Sequence, residues 1–246
     1  MDKAKYLALT DESFDDSIPM EIRIFADQEN NLLHITDTGV GMTKDELIRN
    51  LGSIARSGTK EFLDKVQASG DVDQIGQFGV GFYSSFLVAD TVTVISKHSD
   101  DDQYVWESTA ESDTSFSVAK DPRGNTLSRG TQITLTMKDD AAEFLQSDRL
   151  KDLVMKYNEF ISYPIYIWTS TEVEREIEVE PEESDDDSED NEDCVVGDAD
   201  EDDGPKTEII TETVSEWERI NNAEPLWRRP KSEITEEEYH AFFTDV

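Results

Sequence analysis

The chain of 246 residues carries a formal net charge of −36, with 36% hydrophobic residues and a mean hydropathy of −0.62. A surface this acidic repels nucleic acid and anionic lipid, so both classes of polyanion are excluded as expected partners. Residues 1–20 contain no apolar core of signal-peptide length, no later stretch approaches the length of a membrane span, and the single cysteine, Cys194, excludes an intrachain disulfide.

The chain is predicted to open with a helix and a β-hairpin. Residues 1–10 have the composition of the end of a helix. Apolar residues alternate over 20–26 and again over 32–36, on either side of a polar turn, which is typical of two paired strands. The second strand leads directly into the motif Asp37-Thr-Gly-Val-Gly-Met42.

This motif has the residue types of a purine pocket. The carboxylate of Asp37, held at the end of a strand, can accept a hydrogen bond from an exocyclic amine. Gly39 and Gly41 carry no side chain, so the backbone can approach a flat ring closely. A tight turn after a strand uses the same residue types, and the motif alone leaves both interpretations open.

A helix is predicted next, beginning at the capping box Thr43-Lys-Asp-Glu46. Leu47, Ile48 and Leu51 recur at helical spacing and predict its buried face. Asn50 lies outside that face, so it is either an amide that contacts a ligand or an ordinary amide on the helix surface.

A second glycine cluster, Gly76-Gln-Phe-Gly-Val-Gly-Phe-Tyr-Ser84, precedes an apolar run from Phe86 that predicts the start of a helix. Backbone N–H groups in front of a helix form a cradle for an anion such as phosphate. The spacing fits neither the Rossmann fingerprint nor the P-loop. The N–H groups of this predicted cradle belong to Gly79, Val80, Gly81 and Phe82.

The segment between the two glycine clusters, residues 52–77, is rich in glycine, serine and charge around a short predicted helix near 60–67. A segment of this kind between two halves of a pocket can fold over bound phosphates as a lid. A static surface loop is the alternative.

A sheet, a helix and one more strand are predicted to follow. The helix is predicted from Leu150 to Ile161 and the strand after it over 165–168. Thr131 opens one of the sheet strands, and its hydroxyl can reach the edge of a base directly or through water. The prediction is an α+β fold with helices on one face of a mixed, mostly antiparallel sheet. The other strand candidates lie at 91–97, 103–107, 116–119 and 131–137.

An acidic segment interrupts the chain after the last of these strands. Residues 172–203 contain nineteen acids against one base, Arg175. Like charge of this density prevents the burial of enough apolar surface to offset chain entropy, so a disordered linker is predicted over 171–205. Its carboxylates could bind calcium weakly, although a solvated spacer is favoured. Apolar and aromatic residues return over 206–246.

Three stretches of the sequence resemble the GHKL ATPases, a family that includes gyrase, mismatch-repair proteins, histidine kinases and the ninety-kilodalton heat-shock chaperones. They are Asp37-Thr-Gly-Val-Gly-Met-Thr43, Asn50-Leu-Gly-Ser-Ile-Ala-Arg-Ser-Gly-Thr59 and Ile75-Gly-Gln-Phe-Gly-Val-Gly-Phe-Tyr-Ser84. The resemblance is closest to the chaperones. Within them, Trp106-Glu-Ser, Asp121-Pro-Arg-Gly-Asn-Thr-Leu127 and the acidic segment are similar to the endoplasmic-reticulum members.

The resemblance implies the two-layer Bergerat fold of the GHKL family and an ATP or ADP site, in which Asp37 reads adenine and Gly79 to Phe82 hold phosphate. Arg56 stands where many relatives carry lysine. Arginine keeps the positive charge but presents a planar guanidinium with several N–H donors in place of a single ammonium group. The implied nucleotide-binding residues are Asp37, Gly39, Gly41, Met42, Asn50, Arg56, Gly79, Val80, Gly81, Phe82 and Thr131.

Hydrolysis in this family requires residues that are expected to lie outside this sequence. The glutamate that activates water and the asparagine that binds Mg²⁺ in the intact family protein would precede Met1, and a further arginine would follow Val246. We therefore expect the chain to bind ATP or ADP and to hydrolyse ATP negligibly.

The function implied is that of a chaperone of the endoplasmic-reticulum lumen, which dimerises and clamps client proteins as ATP closes a lid at about 50–78. Residues 1–170 would be the nucleotide-binding domain without its first strand and most of its first helix, 171–205 the linker, and 206–246 the start of a middle domain. The alternative is an ATP-silent acidic module, acting as a client holdase or weak calcium binder. A histidine kinase domain is disfavoured, because Trp227-Arg-Arg-Pro230 matches the chaperones alone.

Overall fold

The computed structural model of the chain describes residues 1–52, 81–111, 115–158, 161–178, 207–221, 230–236 and 238–240. Two compact units are distinguished: Met1–Thr169 together with Trp217–Val246, and Ser170–Glu216. All of the site residues discussed below belong to the first unit.

The secondary structure begins with helix α1 and the β1–β2 hairpin and then follows the predicted order. A 3-10 turn over Gly81–Ser84 leads into the one-turn helix α3, and a second 3-10 turn, Asp139–Leu145, precedes α4. A short 3-10 turn, Lys231–Glu233, lies near the end of the chain. The elements are α1 Asp2–Thr10, β1 Ile22–Asp27, β2 Leu32–Asp37, α2 Lys44–Leu51, α3 Ser85–Val88, β3 Ala89–Lys97, β4 Gln103–Thr109, β5 Phe116–Lys120, β6 Gly130–Met137, α4 Ser147–Tyr157, β7 Ile165–Glu178 and β8 Thr207–Arg219.

The strands form one sheet in the order β5-β4-β3-β6-β2-β1-β7-β8. Strand β2 pairs antiparallel with β1 on one side and with β6 on the other, and β3 pairs antiparallel with β6 and β4. Strand β7 pairs parallel with β1, with Ile22 opposite Ile165. The sheet is therefore mixed and mostly antiparallel, as predicted.

The core lies on one face of this sheet. Successive strand residues point to opposite faces, and the pairing register places all the buried strand residues of the core on the same face. Leu47 of α2 and Leu150 of α4 belong to the same buried cluster, so the helices cover that face and the fold is a two-layer α+β sandwich. The strand residues of the cluster are Ile24, Leu33, Ala89, Val92, Val94, Trp106, Leu135, Met137, Ile165 and Ile167.

Helix α2 begins at the predicted capping box. The Thr43 hydroxyl accepts the Glu46 N–H at 3.3 Å, and a Glu46 carboxylate oxygen accepts the Thr43 N–H at 2.9 Å. Both bonds satisfy donors that a helix start leaves without partners. Leu47 is fully buried and Leu51 packs against the core, but Ile48 is 40% exposed. The prediction that Ile48 belongs to the buried face was wrong, since it lies on the solvent side of the helix.

Three predicted boundaries differ from the structure. The run from Phe86 does not open a long helix, because β3 begins at Ala89. Helix α4 ends at Tyr157, and the Ile161 N–H donates to the Asn158 carbonyl at 2.7 Å beyond the helix end; Phe160 lies outside the described residues. Strand β7 begins at Ile165 as predicted but continues to Glu178, into the segment predicted as linker.

Candidate functional site

Asp37 is the last residue of β2, and a backbone N–H group holds its carboxylate in place. One carboxylate oxygen accepts the Gly39 N–H at 2.7 Å, and Thr131 lies opposite Asp37 on β6. Burial raises the pKa of Asp37 above its ordinary value, and the charge of the Met1 amino terminus and the backbone N–H of Gly39 oppose the rise. The result is a partly buried acceptor with a fixed direction at the end of a strand.

The glycines around this carboxylate are required by close contacts of the backbone. Gly41 has φ +71°, and a Cβ there would lie 2.0 Å from the Lys97 carbonyl oxygen. Gly130 has φ +122°, and a Cβ there would lie 2.0 Å from the Asp37 carbonyl oxygen. At Gly39 a Cβ would lie 2.7 Å from the Asp37 carboxylate. Side chains at these positions would displace the Asp37 loop, so the tight-turn interpretation of the motif is confirmed, and the pocket interpretation stays a prediction.

Ser96 joins the Asp37 loop to the neighbouring strands. It is fully buried on β3, and the sheet register places Asp37, Thr131 and Ser96 in one row across β2, β6 and β3. The Ser96 Oγ accepts the Met42 N–H at 2.8 Å and lies 3.0 Å from the Thr131 hydroxyl oxygen. Sequence reasoning missed Ser96, because a single serine within a strand gives no signal until the register is known.

Arg129 holds the same loop from the other side. Its guanidinium donates to the carbonyls of Gly39 at 3.0 Å and Thr38 at 3.3 Å, and also to the carbonyl of Asp15. The guanidinium stacks over the Phe14 ring, 4.2 Å from its centroid, and the residue is 3% exposed. Burial lowers the pKa of Arg129, opposed by the charge of Asp15. Sequence reasoning missed this residue also, although its position just before Gly130-Thr131 was a usable signal.

The phosphate side of the predicted site is described only in part. Gly81 is exposed in the 3-10 turn, and a Cβ there would meet no atom within 4 Å. Phe82 packs edge-on against Trp106, with ring centroids 5.5 Å apart. Asn50 is half-buried in α2, and the Tyr83 hydroxyl ties this turn to the end of α2 by donating to the Leu51 carbonyl at 3.0 Å. Outside the described residues lie Arg56, Gly79, Val80 and residues 53–78 of the predicted lid.

The structure thus brings together Asp37, Gly39, Gly41, Met42 and Thr131, and adds Ser96 and Arg129 to them. In the part of the chain that the structure describes, no hydrogen bond joins Asn50, Gly81 or Phe82 to this group. Within the described ranges there is no cluster of three or more His, Cys, Asp or Glu side chains suited to a metal ion. The helices described in the structure include none that is long and apolar enough to cross a membrane.

Comparison with known proteins identifies the class. Residues 9–142 match the family model of the histidine kinase-, DNA gyrase B- and HSP90-like ATPases, and residues 143–246 match the model of the Hsp90 protein. The chain belongs to this family of HSP90-like ATPases, and Asp37 at the end of β2 lies within the matched region.

Its relatives point to one branch of the family. The chain is 49% identical over 253 residues to the endoplasmin homolog of Caenorhabditis elegans, covering 100% of this chain and 32% of the relative. It is 50% identical over 249 residues to that of Hordeum vulgare, covering 99% and 30%, and 48% identical over 277 residues to that of Dictyostelium discoideum, covering 100% and 33%. The chain spans about a third of the length of these relatives. All three relatives are named endoplasmin homologs, which confirms the resemblance to the endoplasmic-reticulum members of the family.

Proposed function

We propose that this chain is the ATP-binding part of an endoplasmin-like molecular chaperone. The observation that carries the proposal is the partly buried Asp37 carboxylate, which the Gly39 N–H holds at 2.7 Å in a chain of the HSP90-like ATPase family. A carboxylate held in a fixed direction can accept a hydrogen bond from a ligand donor. In the structure the charge of the Met1 amino terminus lies close to Asp37 and lowers its pKa, so a ligand donor would take the place of that contact.

The exocyclic amine of adenine supplies that donor. Asp37 accepts one amine N–H, and the Gly39 N–H keeps the carboxylate from turning away. Gly41 and Gly39 leave the loop without side chains, so the ring plane can lie against the backbone. A hydrogen bond to a charged group contributes about 1.5–3 kcal/mol, which makes Asp37 the main determinant of adenine binding.

The phosphates are assigned to the second glycine cluster. We infer that N–H groups of Gly79, Val80, Gly81 and Phe82 hold them, with Asn50 and Arg56 nearby. The open space at Gly81 supports close approach of a ligand. The helix after this cluster, α3, has a single turn, so its dipole is small and the preference for an anion rests on the N–H groups themselves.

The wider role is inferred for the complete protein. In it, ATP binding closes a lid at about 50–78, and two copies clamp client proteins in the lumen of the endoplasmic reticulum. We assign nucleotide binding to residues 1–170, a linker role to 171–205 and the start of a middle domain to 206–246. The family match and the names of the relatives support this assignment.

The test is calorimetric titration of the chain and its Asp37→Asn variant with ATP. The amide must turn its oxygen toward the amine and carries no charge, so affinity should fall roughly 10- to 100-fold, equivalent to about 1.5–3 kcal/mol. Asp27→Asn is the matched control, because Asp27 ends the partner strand β1 and its carboxylate accepts hydrogen bonds from Asn30 on the surface. Equal ATP affinity in both variants contradicts the pocket. A parent chain that does not bind ATP at all favours the acidic-module alternative.

A further inference from the structure

We propose that Ser96 determines the preference of the pocket for 6-amino purines, by fixing the direction of the Thr131 hydroxyl proton. The proposal rests on the nucleotide-binding function proposed above. Ser96 is fully buried, whereas Thr131 beside it retains 8% exposure. Ser96 therefore acts through Thr131 and is a positioning residue, while Thr131 meets the ligand.

The Ser96 hydroxyl has three polar neighbours in the structure. The Met42 N–H lies at 2.8 Å, the Gly130 carbonyl oxygen at 3.2 Å and the Thr131 hydroxyl oxygen at 3.0 Å. A serine hydroxyl has one proton to donate and two lone pairs that accept. The Met42 amide can only donate and the Gly130 carbonyl can only accept, so only the bond to Thr131 can run in either direction.

The number of available protons decides which of the two hydroxyls, Ser96 or Thr131, donates to the other. If Ser96 donates to the Gly130 carbonyl, one of its lone pairs accepts the Met42 N–H and the other accepts the Thr131 O–H. All three neighbours are then bonded to Ser96. If Ser96 donates to Thr131 instead, the Gly130 carbonyl loses this donor in a buried position, which is unfavourable. The first arrangement uses the proton of Thr131 inside the protein and leaves its lone pairs for the pocket.

The pocket then presents two acceptors side by side. Thr131 lies directly opposite Asp37 in the β2–β6 register, which places their Cβ atoms about 4.5–5.5 Å apart on the same face. An exocyclic amine carries two N–H groups and matches this pair, directly or through one water. A carbonyl at the same ring position would face two acceptors. The geometry therefore selects adenine over hypoxanthine, the otherwise identical base with oxygen at position 6.

The test measures the dissociation constants of adenosine and inosine by calorimetry for the parent chain, Ser96→Ala and Ser96→Thr. In Ser96→Ala the Thr131 hydroxyl is free to turn and donate to the oxygen of inosine, so the preference for adenosine should fall about 3- to 10-fold, the size of one neutral hydrogen bond. Ser96→Thr keeps the hydroxyl and should retain the parental preference even if its added methyl group weakens both ligands. Equal weakening of both ligands in Ser96→Ala, with the preference unchanged, overturns the proposal.

Thr131→Val provides an independent measurement, because valine keeps the shape of threonine without the hydroxyl. It should lower the adenosine preference to a similar degree, and it applies even where Ser96→Ala does not fold. An unchanged preference in Thr131→Val overturns the proposal. These outcomes are distinct from failure of the proposed function, in which the parent chain binds neither nucleoside.

Discussion

Replacing Gly41 with alanine tests the claim that the shape of the pocket depends on contact between two backbone segments. The alanine Cβ would lie 2.0 Å from the Lys97 carbonyl oxygen, and Cβ atoms in proteins essentially never approach another atom closer than 3.0 Å. The loop must therefore move away from β3. That movement breaks the hydrogen bond from the Met42 N–H to Ser96.

Two contributions determine the size of the effect. Placing alanine at the φ of +71° costs about 1–2 kcal/mol. Losing the buried Met42–Ser96 hydrogen bond adds about 1–3 kcal/mol. Gly124→Ala is the matched control, because Gly124 has φ +79° but its Cβ would meet no atom within 4 Å. Only the first contribution applies there, so the two variants should differ by about 1–3 kcal/mol in the free energy of unfolding.

Urea unfolding of the parent chain and both variants measures this difference. Gly41→Ala should shift the midpoint to lower urea by more than Gly124→Ala, with the slope of the transition unchanged. Gly41→Ala should also weaken ATP binding, while Gly124→Ala should not. Equal destabilisation by the two substitutions would refute the reasoning, because the contact with Lys97 would then have no energetic effect.

Two further predictions concern charge and buried polar groups. Since burial raises the pKa of Asp37, adenosine affinity should fall as the pH drops through that raised pKa and the acceptor is protonated, whereas Asp37→Asn should show no such dependence by calorimetry. By the same shift, the contribution of Asp37 to stability is fully present below its unfolded pKa of 3.8 and is lost as the pH rises through the folded value. In Gln103→Ala, the N–H groups of Thr126 and Leu127 lose an acceptor at 3.0 Å and 2.8 Å. The free energy of unfolding should fall by roughly 2–5 kcal/mol, more than for the half-exposed Gln132→Ala, and equal losses would contradict this assignment.

The features predicted correctly from sequence have local determinants. The alternation that ends at Asp37 and the capping box at Thr43 each depend on residues a few positions apart, so the pattern carries the information. The same holds for Gly41, whose φ demands glycine wherever the loop lies. Strand β7 was predicted to end at residue 168 because its local pattern was hidden. Its acidic residues alternate with Val173, Arg175 and Ile177, a strand pattern that the density of charge obscured.

The features that were missed depend on residues far apart in the sequence. Ser96 meets Met42 across 54 residues, and Arg129 meets Gly39 across 90. Arg129 reaches the loop because β6 pairs with β2, and Ser96, which belongs to no motif, becomes part of the site only because β3 and β6 pair in one particular register. A shift of that register by one residue would turn Ser96 to the opposite face. Pattern reasoning from one sequence contains no information about that register.

The row formed by Asp37, Thr131 and Ser96 also has a consequence for how the domain acquires its ligand during folding. Its three residues come from strands that are distant in the chain, and contacts of this kind form slowly because long loops must close first. The proposed adenine site is therefore absent until β6 has paired with both β2 and β3. A nucleotide that binds only the completed sheet stabilises the native state and not the states before it. It should lengthen the lifetime of the folded domain while leaving its refolding rate unchanged.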